Sequence, residues 1–90
     1  MNWSVDYTKD AIKTLAKLDK TVRHRILKFI NETLPKLENP REKGDALQGE
    51  LNTYWRYKVG DYRLICKIID NEITILVVEI GHRSKIYKSI

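Results

Sequence analysis

The chain is poor in the residues that carry most catalytic and structural side chemistry. It has one cysteine, Cys66, so no disulfide can form within it, and a reducing, cytoplasmic setting is expected. It has two histidines, His24 and His82, and no cluster of His, Cys and carboxylates at the spacing of a metal site. Neither a metal nor any other cofactor is therefore expected. No apolar run approaches the ~20 residues of a membrane helix. The opening "MNWSVDYTKD" lacks the apolar stretch of a secretory signal. Repeats, Ser/Gly linkers and low-complexity tracts are also missing. The two prolines and four glycines fall between Pro35 and Gly81, so the first third of the chain carries few breakers.

Charge is what the sequence has in quantity. Its 90 residues carry 17 Lys and Arg against 12 Asp and Glu, a net charge of +5. A basic surplus in so small a chain points to a polyanionic or acidic partner. A chain of this length buries roughly 60–65% of its unfolded surface, and residues 1–90 are expected to form a single domain.

The expected order of elements is β-α-α-β-β-β. "WSVDY" alternates and reads as a strand over about residues 2–7. Ala11, Ile12, Leu15, Ala16 and Leu18 then recur at helical spacing behind Thr8, a plausible N-cap. Asp19 caps a second helix with an apolar stripe of Val22, Ile26, Phe29, Ile30, Thr33 and Leu37, and Pro35 kinks or ends it. Residues 38–53 read as a long loop. "YWRYKV", "YRLICKII" and "EITILVVEI" follow as strands joined by two-residue turns at 60–61 and 70–71. The prediction is an α+β fold, a small and largely antiparallel sheet with a two-helix hairpin on one face. The first strand joins the sheet at an edge or beside the last strand.

Those turns set a register. Val59 pairs with Tyr62, Lys58 with Arg63, Arg56 with Ile65 and Tyr54 with Lys67, and the second turn pairs Ile69 with Glu72. Opposed residues share a face. Trp55, Tyr57, Val59, Tyr62, Leu64, Cys66, Ile68, Ile73, Ile75 and Val77 form the core face. The other face gathers Arg56, Lys58, Arg63 and Lys67 beside a strip of Ile65, Leu76 and Val78. Like charges opposed in a sheet cost up to about 1 kcal/mol, and nothing in folding asks for Lys58 against Arg63. A basic face suits phosphates, and the apolar strip suits a partner's helix or strand. The last strand returns toward Arg63, ends at Gly81, and delivers His82, Arg83 and Tyr87 to the same place.

"LQG" (47–49), the stretch from Trp55 to Arg63, and "GHRSKIY" (81–87) together resemble the RelE/ParE superfamily of bacterial type II toxins. The resemblance covers nearly the whole chain. It implies the RelE-like microbial RNase fold, an mRNA endonuclease acting in the ribosomal A site, and a RelB-like antitoxin as partner. It places Arg56 and Lys58 at the family's basic pair, Arg63 at the arginine after the hairpin, and Arg83 and Tyr87 at the functional pair of the tail. Arg56 stands where the best-known member has lysine, and the segment from Arg83 to Tyr87 is shorter than in that member.

RNA is cut without metal when its 2′-hydroxyl attacks the neighbouring phosphate. That step needs a base, positive donors for the charge that develops, and help for the leaving 5′-oxygen. A like charge disfavours the protonated form of a lysine, which makes Lys58 the first candidate base, with Tyr87 sharing that task or stacking on a base. Arg63 is suited to bidentate contact with the scissile phosphate. Arg83 is suited to electrostatic support of the leaving oxygen, since an arginine pKa of about 12 or more makes proton donation difficult, and His82 is the alternative acid. Arg56, Lys67 and His82 are candidate RNA contacts. The competing readings are a ParE-like gyrase inhibitor and a non-catalytic nucleic-acid-binding module.

Overall fold

The computed structural model describes residues 2–49 and 53–86. Strand β1 (Ser4–Tyr7) leads into α1 (Lys9–Lys17) and α2 (Lys20–Lys28); β2 (Asp45–Ala46), β3 (Trp55–Val59), β4 (Tyr62–Ile69) and β5 (Thr74–His82) follow. The five strands form one sheet in the order β1-β5-β4-β3-β2. β1 runs parallel to β5 and the other neighbours are antiparallel, so the first strand takes the place beside the last one.

Local chemistry explains the helix boundaries. Thr8 caps α1 by accepting from the Ala11 amide, and its hydroxyl donates to the Val78 carbonyl at 2.6 Å. Asp19 caps α2 through the Thr21 amide. Pro35 has no amide hydrogen, and its ring crowds the carbonyl four residues back. Ahead of it the helix widens into a π turn at Phe29–Thr33, then tightens into a 3₁₀ turn at Leu34–Lys36. The expected stripe of α1 is narrower than its spacing suggested. Ala11 and Leu15 are buried, whereas Ile12 is 55% exposed.

The helices cover one face of the sheet. Ala11, Leu15, Ile26, Ile30 and Leu34 pack on Tyr57, Val59, Leu64, Cys66, Ile75, Val77 and Ile80. The other face is not wholly open: Ile65 is fully buried beneath Leu47 and Ile86, with Tyr54 beside them. The expected apolar strip is thus partly covered by the chain's own tail. The expected long loop also holds structure, a 3₁₀ turn at Pro40–Glu42 closed by a reciprocal Asn39–Glu42 capping box, then β2. Arg41 ties this segment to the β4–β5 connection through a two-bond pair with Asp70, and the guanidinium holds that carboxyl below its usual range.

The β3–β4 register is the expected one, with Val59 on Tyr62, Lys58 on Arg63 and Arg56 on Ile65. Gly60 supplies the positive φ, +59°, that a two-residue turn needs at its first central position. The β4–β5 register differs. Ile69 pairs with Thr74, because Asp70–Glu72 forms a 3₁₀ turn and Ile73 takes a left-handed conformation at φ 51°. Ile73 therefore belongs to the turn and is exposed, not part of the core face. Farther along, a β-bulge sets Ile65 against Glu79 and Cys66 against Val77, so Val78 has no partner of its own. The longer turn keeps the faces of Leu76 and Ile75, since it shifts the pairing by two. The bulge then exchanges faces for everything after Val78. Arg63 ends up opposite Gly81, and Tyr62 opposite His82.

Candidate RNA-cleavage site

Three strands build the site. Lys58 on β3 stands directly opposite Arg63 on β4, and Arg63 directly opposite Gly81 on β5. Neighbouring strands lie ~4.8 Å apart, so a span of roughly 10 Å holds Lys58, Arg63 and the root of the tail. Lys58 is exposed and Arg63 half-buried. The Arg63 guanidinium donates to the carbonyls of Gly60 and Tyr62, both at 3.0 Å, which holds it over the hairpin turn. From the helix side Arg25 closes on the same turn: a Cβ at Gly60 would stand 2.9 Å from its Nη1.

The tail is pinned at two points. The Arg83 amide donates to the Asp61 carbonyl at 2.8 Å, and Arg83 Nε lies 3.6 Å from Asp61 Oδ1. At the far end Ile86, 2% exposed, plugs into the Ile65–Leu47 cluster. It sits so close to β5 that a Cβ on Gly81 would meet its Cδ1 at 2.8 Å and its Cβ at 3.3 Å. Gly81 is needed for this contact, not for an unusual backbone angle. Arg83 thus begins a short arch that Ile86 closes, at the end of the sheet where Arg63 is. Tyr87 lies outside the described residues.

The other expected residues divide. Arg56 is engaged with the Asp45 carboxylate through Nη2 and, at 3.3 Å, Nε. Lys67 lies toward the opposite end of the face, its ammonium 5.3 Å from the centre of the Tyr54 ring. His82 is carried to the helix side of the sheet by the bulge and stands edge-on to Tyr62, with ring centres 5.5 Å apart. Its Nδ1 accepts from the Ser84 amide at 3.1 Å and lies 2.8 Å from the Ser84 hydroxyl. The structure therefore sets Lys58, Arg63 and the start of the Arg83 segment at one end of the sheet, pairs Arg56, two residues from Lys58 on the same face, with Asp45, and holds Lys67 and His82 apart.

Sequence reasoning passed over Asp61 and Asp45, which are the anions that hold Arg83 and Arg56. Asp61 was visible as the second residue of the "GD" turn, but its reach to the tail depends on the β5 register. Cys66 offers no nucleophile: it is fully buried, and burial pushes its thiol far above the usual range. Among the described residues no group of three or more His, Cys, Asp and Glu side chains is placed to hold a metal ion. No described helix is long and apolar enough to cross a membrane.

The family model for the ParE toxin of type II toxin-antitoxin systems, parDE, matches residues 5–87. The chain belongs to the RelE/ParE superfamily. Among curated members it is 31% identical to the mRNA interferase toxin RelE of Escherichia coli strain K12, over 94% of this chain and 87% of that one. The toxin–antitoxin complex RelBE2 of Mycobacterium tuberculosis contains a chain that superposes with a TM-score of 0.84 at 26% identity, covering 93% of this chain and 94% of that one. In the archaeal RelE–RelB complex of Pyrococcus horikoshii the corresponding values are 0.72 and 27%, over 94% and 99%. This superfamily member thus has the RelE-like fold along nearly its whole length.

Proposed function

We propose that this protein is the toxin of a type II toxin–antitoxin pair, an endoribonuclease that cuts mRNA in the ribosomal A site and so stops translation in the cytoplasm. The observation that carries this reading is the placement of Lys58, Arg63 and Gly81 across two strand spacings at one end of the sheet, with Arg83 two residues beyond Gly81 and bonded to Asp61 of the β3–β4 turn. Arg63 holds the scissile phosphate, and two cations flank it. The 2′-oxygen attacks phosphorus, Lys58 takes the hydroxyl proton, and the bond to the 5′-oxygen breaks. The products are a 2′,3′-cyclic phosphate and a 5′-hydroxyl. Tyr87 is the second candidate for the base, or a stacking surface for the neighbouring nucleobase. Arg83 offsets charge on the leaving oxygen, which takes its proton from water. The position of His82 against Tyr62 favours this electrostatic role for Arg83 over acid catalysis by His82. Arg56 and Lys67 are proposed as outer phosphate contacts. No step requires a metal or other cofactor.

A RelB-like antitoxin covers the basic face when the toxin is silent, as the RelE chains of Mycobacterium tuberculosis and Pyrococcus horikoshii occur in complexes with their antitoxins. Purified protein added to an in vitro translation reaction should cut mRNA within ribosomes. Lys58→Ala and Arg63→Ala should each lower the cutting rate by about 10²-fold or more, the scale of a lost base or charge stabiliser. Intact mRNA with the unsubstituted protein, or full cutting by both variants, overturns the proposal. The ParE match supports a second reading, inhibition of DNA gyrase without catalysis. Expression would then damage DNA while translation continued.

A further inference from the structure

On the side of β3 away from Arg63, the sheet edge opens into a groove of about 390 Å³ lined by Phe29, Lys43, Gly44, Asp45, Tyr57 and Lys58. Its origin is a strand cut short. β2 pairs with β3 at only two positions, Asp45 on Arg56 and Ala46 on Trp55. Two more pairs in the same register would set Gly44 against Tyr57 and Lys43 against Lys58. Instead the chain turns away at Gly44, where φ is +78°. No larger residue suits that position, since a Cβ there would lie 2.3 Å from the Arg56 carbonyl oxygen.

The groove wall is fixed before any ligand arrives. Trp55 Nε1 donates to the Lys43 carbonyl at 2.7 Å, and the Tyr57 hydroxyl donates to the Pro40 carbonyl at 2.6 Å. Asp45 is held by Arg56, so its charge is already offset by that arginine. The Phe29 ring, half-buried and 5.8 Å from the Tyr57 ring, gives the groove an aromatic surface. Lys43, which is exposed, gives it a cation, and Lys58, also exposed, stands where the groove meets the proposed centre. A ring beside a cation is the chemistry that holds single-stranded RNA, base on the ring and phosphate on the lysine. A volume of this size suits one nucleotide.

We propose that this groove is a nucleotide subsite for the residue next to the scissile phosphate, with Phe29 under the base and Lys43 on its phosphate. The inference rests on the RNA-cleaving reading, because Lys58 is shared by the groove and the proposed centre. It assigns binding roles to Phe29 and Lys43, which lie outside that centre. The strand crosses the sheet from the Arg83 arch, over Arg63 and Lys58, and over the edge of β3.

Trp55 borders the groove and provides a readout independent of cutting. In a Trp3→Phe background it is the only tryptophan. The probe is a trinucleotide with 2′-deoxy residues at its first and middle positions, which removes the nucleophile at both phosphates, so it binds but cannot be cleaved. Its titration should change Trp55 emission, and Lys43→Ala should weaken binding about tenfold and flatten the salt dependence by about 0.7 of a log unit per decade. Phe29→Leu should weaken it by about 5-fold or more, with its fold checked by circular dichroism. Lys13→Ala should leave the affinity within about twofold, as Lys13 is exposed on α1 and does not line the groove. No binding by the unsubstituted protein, or equal affinity in the Lys43→Ala and Phe29→Leu variants, overturns the subsite. Lys43-dependent binding without any mRNA cutting would retain the subsite and reject the endonuclease; cutting without Lys43-dependent binding would do the reverse.

Discussion

Replacing Gly81 by valine tests how the tail is held. Gly81 is paired with Arg63, and Ile86 lies against it so closely that even a Cβ meets the Ile86 side chain below 3.0 Å. Valine is favourable in a strand, so its backbone cost is small, and the clash must be relieved by moving Ile86. An isoleucine side chain moved from a buried site to water costs about 1.5–3 kcal/mol. The tail can lift without forcing the sheet apart, so this figure caps the loss. The gain in strand propensity offsets up to about 1 kcal/mol of it. A net destabilisation of about 1–2 kcal/mol follows, and at about 4–8 °C per kcal/mol in a domain of this size the midpoint should fall by about 5–15 °C. Arg83 begins the arch that Ile86 closes, so mRNA cutting should fall at least about tenfold at temperatures where the variant is still folded. Thermal melts of Gly81→Val, Ile86→Ala and the double variant form the decisive cycle. In the Ile86→Ala background Gly81→Val should cost less than half as much. Equal costs in both backgrounds, or undiminished cutting by a folded Gly81→Val protein, would refute the reasoning.

Two further substitutions or probes follow from the site. Asp61→Asn removes the carboxylate beside Arg83 but keeps the backbone bond from the Arg83 amide. An exposed pair of this kind contributes about 0–1 kcal/mol, so melts should barely move, while an uncleavable oligoribonucleotide binds severalfold tighter in a low-salt titration. Weaker binding would show that Asp61 positions Arg83 rather than competing with phosphate. Cys66 is fully buried with its thiol pushed up by burial, so a thiol reagent at neutral pH should label the native protein only at the rate of unfolding. Fast labelling in buffer would contradict the packing of β4.

The expected order of elements and the core face of β3 and β4 were legible because they depend on local signals. Thr8 and Asp19 cap where capping chemistry predicts, and Gly60 makes a turn that any hairpin of this spacing would use. The pairing of Lys58 with Arg63 follows from that turn alone. The exposed Ile12 shows the limit of the same method, since periodicity marks a helical face without telling how wide a stripe the sheet can cover.

Local chemistry alone dictates a basic α+β chain with Lys58 and Arg63 opposed, because side-chain alternation and a two-residue turn leave no freedom in that pairing. The tertiary structure decided everything that depends on β5. The longer turn around Ile73 and the bulge at Val78 move Gly81 opposite Arg63 and send His82 to the helix side. Neither has a strong local signature, because a left-handed isoleucine and an extra residue in a strand persist only when surrounding packing outweighs their local cost. The same holds for the anions at Asp45 and Asp61 and for the buried Ile86. Each acts on a residue distant from it in sequence or on a separate strand, and only the assembled sheet brings them within reach.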